Sequence, residues 1–187
     1  MATEVSICSN ALRKLGDDPI TSLTDNTERA RLCNAFYEPV RDSVLRVHPW
    51  NFAISRQELS KLTTTPVFDY AYAYALPTSP YCLRVLKMEY DDYEFKVEGR
   101  TLLSDHSAAK ILYVAKIDNP GLFDSMFIET LTARLSAELA YSITGSNSLS
   151  KQMWDLYEMK LSEARSIDGQ EGFTDSIVSD TFTSFRR

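Results

Sequence analysis

Residues 30–53 read A-R-L-C-N-A-F-Y-E-P-V-R-D-S-V-L-R-V-H-P-W-N-F-A. Cys33, Phe36, Tyr37, Val40, Val44 and Val47 recur at three- and four-residue steps, the spacing of one helix face. Arg31, Asn34, Glu38, Arg41, Asp42 and Arg46 fall mostly on the other faces. Pro39 interrupts the pattern. A proline inside a helix removes a backbone hydrogen bond and clashes with the carbonyl one turn back, at about 3 kcal/mol. The apolar stripe stays in phase across it, which predicts one long kinked helix rather than two. The helix ends at Pro49, because a residue before proline avoids helical angles. Trp50 and Phe52 then read as core anchors, and Pro49-Trp50-Asn51-Phe52 as a hinge into whatever follows.

Toward the N-terminus, Thr3 caps a first helix carrying Val5, Cys8, Leu12 and Leu15, and Gly16 stops it. Ile20 and Leu23 read as loop residues that plug the core. Asp25 followed by Glu28 reads as a capping-box variant opening the second helix.

Beyond residue 53 the period changes. Residues 70–75 alternate strictly, Y-A-Y-A-Y-A, which predicts a strand with tyrosines on one side and closely packed alanines on the other. Further strands are expected around Leu83, Val85 and Met88, around Tyr93, Phe95 and Val97, over Thr101-Leu102-Leu103 after a Gly99-Arg100 turn, and over 111–115. Pro66, Pro77 and Pro80 bound these segments. A third helix carries Phe123, Phe127, Ile128, Leu131, Leu135 and Leu139. Gly145 ends it, and a Ser or Asn beside it caps a fourth helix with Met153, Trp154, Tyr157, Leu161 and Ala164. The short joining loop predicts an antiparallel hairpin.

The fold expectation is therefore mainly α, a four-helix bundle with an inserted small antiparallel β-sheet and an extended C-terminal arm. The bundle takes residues 1–53 and 118–168, the β insertion 54–117 and the arm 169–187. The arm is rich in Gly, Ser, Thr and Asp, yet it holds Phe173, Ile177, Val178, Phe182 and Phe185 and closes on Arg186-Arg187. Such a segment has no core of its own, so these seven residues are the candidate partner contacts.

Composition narrows the chemistry. The 187 residues carry a net charge of −6, which argues against gripping nucleic acid by its phosphates. It is compatible with a wall past which DNA slides, since acidic surfaces repel phosphate. The three cysteines lie far apart in sequence and form no C-x-x-C, so buried reduced thiols are expected. No leader pattern and no apolar run of membrane-spanning length is expected. Neither histidine belongs to a cluster with zinc-ligand spacing, and no Walker or G-x-G pattern occurs. The Y-D-D-Y-E stretch at 90–94 lacks the glycine and spacing of a calcium loop and reads as a solvated turn. Ser104, Asp105 and His106 are chain neighbours with no nucleophile elbow around them, a poor basis for a triad. With 26 acidic residues, some carboxylate pair suited to glycoside cleavage is always available, so that signal is weak. No catalytic residue, metal or cofactor is assigned.

Several stretches resemble the head-to-tail adaptor proteins of short-tailed bacteriophages, the tail tubular protein A or head-completion adaptor family. They are A-L-R-K-L-G at 11–16 with P-I-T-S-L-T-D at 19–25, V-R-D-S-V-L-R-V-H-P-W-N-F-A at 40–53, Y-A-L-P at 74–77 with L-R-V-L at 83–86, L-T-A-R-L-S-A-E-L-A-Y-S-I-T-G-S at 131–146, and A-R-S-I-D at 164–168. They span most of the chain in order, and P-W-N-F-A after V-R-D-x-V-L is the most specific. The resemblance implies a non-enzymatic virion protein of the tail, assembled in the host cytoplasm. About twelve copies would form a homo-oligomeric ring between the portal protein and the tail nozzle protein, with genomic DNA passing through unbound. The C-terminal arm would reach a neighbour and the portal. Two alternatives stay open at the level of sequence: an adaptor-like virion protein with peptidoglycan hydrolase activity, and a connector of a long-tailed phage.

Overall fold

The computed structural model describes residues 2–171. Among them the order is α1 (Glu4–Lys14), α2 (Glu28–Val47), β1 (Ile54–Glu58), β2 (Tyr72–Ala75), β3 (Cys82–Met88), β4 (Lys96–Glu98), β5 (Thr101–Ser104), β6 (Lys110–Ala115), α3 (Ser125–Thr144) and α4 (Asn147–Gln170). The architecture is mixed: four helices, with all six strands placed between α2 and α3. The strands form two antiparallel three-stranded sheets, ordered β1-β6-β3 and β2-β5-β4. β3 slips register twice against β6, between Cys82 and Arg84 and between Val85 and Lys87.

Local chemistry sets the helix ends. The Thr3 hydroxyl accepts from the Ser6 amide, and the Ser6 hydroxyl accepts from the Thr3 amide, a reciprocal cap on α1. Gly16, at φ 79°, takes the left-handed position beyond its end. α2 is capped by Thr27, whose side chain accepts from the Ala30 amide at 3.3 Å, and not by Asp25 as the spacing to Glu28 predicts. The Asp25 carboxylate instead accepts from the Thr21 and Ser22 amides and the Thr21 hydroxyl, closing the preceding loop on itself. Gly145, at φ 65°, ends α3, and Ser146 caps α4.

α2 runs unbroken through Pro39, which is solvent-exposed. Cys33, Tyr37, Val40 and Val44 are buried as expected, and Phe36 packs at the edge of the core. Two readings of this helix are corrected. Val47 is 38% exposed, because the last turn emerges from the core. Arg41, which the helical spacing puts among the outward positions, is 1% exposed. It is tolerated inside because Asp42 meets its Nε at 2.9 Å and Asp118 its Nη2 at 3.0 Å, and Lys116 closes the network on both carboxylates. That network ties α2 to the segment joining β6 to α3.

α3 occupies the middle of the helical part, packed against α1, α2 and α4. Phe127, Leu131, Leu135 and Leu139 are buried, and so are Thr130, Thr132, Ala133, Ser136, Ala137 and Ala140. The small residues let neighbouring helices approach, and the hydroxyls bond backbone: Ser136 Oγ donates to the carbonyls of Thr132 and Ala11, and Thr130 Oγ1 to that of Met126. Ile20 is buried from its loop and fixed there by Ser9, whose hydroxyl bonds both its amide and its carbonyl.

The buried apolar residues form two clusters. One joins the helices with Trp50, Ala53 and Val114; the other, with Leu59, Tyr74, Met88, Leu102, Ile111 and Tyr113, lies between the two sheets. The Y-A-Y-A-Y-A stretch becomes a strand only over its last four residues, and the alternation does not separate inside from outside. Ala73 and Tyr74 are both buried, because residues 60–62 pair with this strand's outer edge while the sheet packs on Met88 and Ile111. The strand expected around Tyr93, Phe95 and Val97 shrinks to Lys96–Glu98, since Tyr93 leaves the ladder to stack on the His106 ring at 3.4 Å. All three cysteines are free and buried. Cys8 of α1 and Cys33 of α2, distant in sequence, are both buried, and the Cys33 thiol together with burial pushes the Cys8 thiol up.

Two outcomes follow from the helix ends and Pro39. Pro39→Ala restores a backbone donor on an exposed face and should raise stability by about 1–3 kcal/mol in chemical denaturation. The amides of Thr21 and Ser22 hold the Asp25 carboxyl below its ordinary range. A depressed folded-state value contributes stability above the unfolded value and loses it as pH falls through the folded one. Asp25→Asn should therefore flatten the acid limb of the stability profile below about pH 4 relative to the parent protein.

Candidate functional site

The segment from His48 to Ala53 is where the helices hand the chain to the strands. Its geometry is set by Pro49, then by a single 3-10 turn over Asn51–Ala53 that leads straight into β1. Trp50 turns inward to 1% exposure, and its indole N–H donates to the Val44 carbonyl at 2.9 Å, filling an acceptor that the ending helix leaves open. Its ring meets Phe127 of α3 edge-on at 5.2 Å, while Phe52 meets Phe127 at 5.0 Å and Phe123 at 5.9 Å. Phe123 and Phe127 lie 4.9 Å apart. The same aromatic cluster thus holds the chain where it leaves the helices and where it returns to them. Trp50 and Phe52 are core anchors as read.

Asp168, near the end of α4, completes this joint. One carboxylate oxygen accepts from the Asn51 amide at 3.0 Å, and the other lies 3.0 Å from His48 Nε2. Its backbone carbonyl accepts from Asn51 Nδ2 at 2.7 Å, and Arg165 Nη2 donates to the Val47 carbonyl at 3.3 Å. The Asp168 side chain is only 12% exposed. One carboxylate therefore locks the turn after α2 to the last turns of α4. Sequence reasoning missed His48 and Asp168 as partners, and spacing could not show it, since the two lie 120 positions apart. The helix outlasts the expected arm boundary at residue 168, running to Gln170.

The other sequence-predicted residues divide cleanly. Pro39 faces solvent within α2 and touches none of this joint's hydrogen bonds. Phe173, Ile177, Val178, Phe182, Phe185, Arg186 and Arg187 lie outside the described residues.

Ser104, Asp105 and His106 are engaged in structure. The Ser104 hydroxyl donates to the Glu94 carbonyl, Asp105 accepts from the Ala71 amide, and the His106 ring lies on Tyr93. Among the described residues no group of three or more His, Cys, Asp or Glu side chains could hold a metal ion. No described helix is long and apolar enough to cross a membrane. No family model and no curated protein matches the chain.

Removing the carboxylate tests the joint. Asp168→Ala should lower stability by about 2–3 kcal/mol, the loss of two bonds to a partly buried charge. Amide exchange at Asn51 should rise more than at residues in the middle of α3.

Proposed function

We propose that the chain is a ring-forming structural adaptor of a bacteriophage tail, joining the portal protein to the tail nozzle protein and lining part of the channel through which DNA passes. The observation that carries this reading is the joint at His48–Asn51. Two stretches that separately resemble the adaptor family, V-R-D-S-V-L-R-V-H-P-W-N-F-A and A-R-S-I-D, are distant in sequence, yet Asp168 bonds His48 and Asn51 directly. The resemblance thus falls on residues that act together, and this supports the reading.

In this reading the four helices act as a bundle, the wall of a ring of about twelve copies. Residues 54–117 are a distinct β insertion, and Pro49, Trp50 and Phe52 form the hinge between the two parts. A net charge of −6 suits a wall that DNA passes without sticking. The protein acts in the virion tail after assembly in the host cytoplasm, without catalysis or cofactor. The residues after Gln170 act as the arm: Phe173, Ile177, Val178, Phe182 and Phe185 supply apolar anchors to the partner, and Arg186 and Arg187 pair with acidic groups of the portal.

The test is a truncation. Protein lacking residues 173–187 should keep the circular dichroism and thermal unfolding of the full chain while losing co-sedimentation with the portal of its own particle. Undiminished portal binding by the truncated protein overturns the assignment of the arm. Electron microscopy that finds the protein anywhere other than beneath the portal overturns the adaptor reading itself.

A further inference from the structure

Although the chain is acidic overall, three arginines converge on one hollow of about 390 Å³ at the start of β3. Arg46 comes from the last turn of α2, Arg84 from β3 and Arg100 from the β4–β5 turn. Two of the three are held in place by backbone. Arg46 Nη1 donates to the Leu83 carbonyl. Arg100 donates to the carbonyls of Cys82 and Pro77 and lies over the Tyr81 ring, 3.9 Å from its centroid. Carbonyls orient a guanidinium without cancelling its charge, and most of its five N–H donors remain free. Among the described residues, none of the three pairs with a carboxylate. Tyr81 and Val97 line the same hollow, each 42% exposed. Cys82 senses the positive field at its floor: burial raises its thiol, and Arg100 and Arg46 oppose that rise.

A pre-oriented set of unneutralised arginines with an aromatic and aliphatic rim suits an acidic, aromatic peptide segment. The chain itself displays one. The turn joining β3 to β4 reads E-Y-D-D-Y-E-F, and its Tyr90 is 54% exposed. Asp91 and Glu89 are paired with Lys87 and Lys110, but Asp92 and Glu94 have no cation partner among the described residues. The turn runs on into Val97, which lines the hollow, yet among the described residues none of its carboxylates pairs with the three arginines, so a copy does not fill its own hollow. Nucleic acid fits less well, since it needs a basic track along many phosphates and the protein carries a surplus of acid.

We propose that the hollow formed by Arg46, Arg84 and Arg100 receives the acidic turn at residues 89–95 of a second copy. The contact is heterologous: hollow meets turn, so in a pair one copy keeps a free turn and the other a free hollow. Repetition of such a contact closes a ring when the rotation permits. The proposal rests on the ring-forming reading and supplies it with a subunit contact.

The experiment titrates the full chain into a fluorescein-labelled peptide of residues 88–95 and follows anisotropy. Saturable binding is expected. It should weaken about tenfold or more with Arg84→Glu, or when the peptide carries Asp92→Lys and Glu94→Lys, and it should return when swapped peptide meets swapped protein. Arg84→Gln, which removes charge without reversing it, should give an intermediate loss, and thermal unfolding of each variant checks folding. No saturable binding up to millimolar protein, or equal affinity for Arg84→Glu, overturns the proposal. A DNA duplex that binds more tightly than the peptide and depends on Arg84 also overturns it. A ring seen beneath the portal with a peptide that does not bind removes this contact and leaves the adaptor reading standing. Peptide binding through Arg84 in a protein that forms no ring supports the contact and removes the ring.

Discussion

The packing of Trp50, Phe52 and Phe123 around Phe127 is the constraint on which the rest of the structure depends. A chain that leaves a set of helices, builds two sheets and returns must have its exit and re-entry held close together. Here the exit carries Trp50 and Phe52, the re-entry carries Phe123, and Phe127 lies in the first turn of the helix that follows. Aromatic side chains bury large areas and favour edge-on contacts, so a small cluster fixes both crossings at once. The Arg41–Asp42–Asp118–Lys116 network repeats the same connection in polar terms, from α2 to the segment just after β6.

Around that joint the helices obey a second constraint. α3 is packed by three neighbours, so most of its surface is covered and its charges are limited to Glu129, Arg134 and Glu138. Its sequence meets this with alanines and with Ser and Thr, whose hydroxyls return to the helix's own carbonyls. α4, packed chiefly on α3, is largely exposed, and its buried residues are confined to Tyr157 and Ala164, with a half-buried stripe beside them. The strands form their own apolar cluster between the two sheets, and Ile117 packs against both clusters.

Much of this was legible in the chain. The four helices, their apolar faces, the Thr3 and Ser146 caps and the stops at Gly16 and Gly145 follow from local rules, because the groups involved lie within a turn of one another. α2 crosses Pro39 as its unbroken stripe predicts. The strands were legible as a region and less so as individuals. Strand limits depend on partners distant in sequence, and Tyr93 illustrates this by giving up the ladder to stack on His106.

What sequence alone determined, then, is the order of the helices, the region of the inserted strands, without β1 (Ile54–Glu58), and the turn at Pro49. These rest on periodicity, on capping chemistry and on the restricted angles of proline and glycine. Tertiary structure alone decided the rest. It buried Arg41, because Asp118 arrives from beyond the strands to pair with it. It split the strands into two sheets and brought Asp168 to His48 and Asn51 across 120 and 117 positions. It also gathered Arg46, Arg84 and Arg100, from three separate elements, around one hollow. Each of these outcomes depends on through-space proximity of charges or rings, and proximity of that kind leaves no periodic trace along a chain.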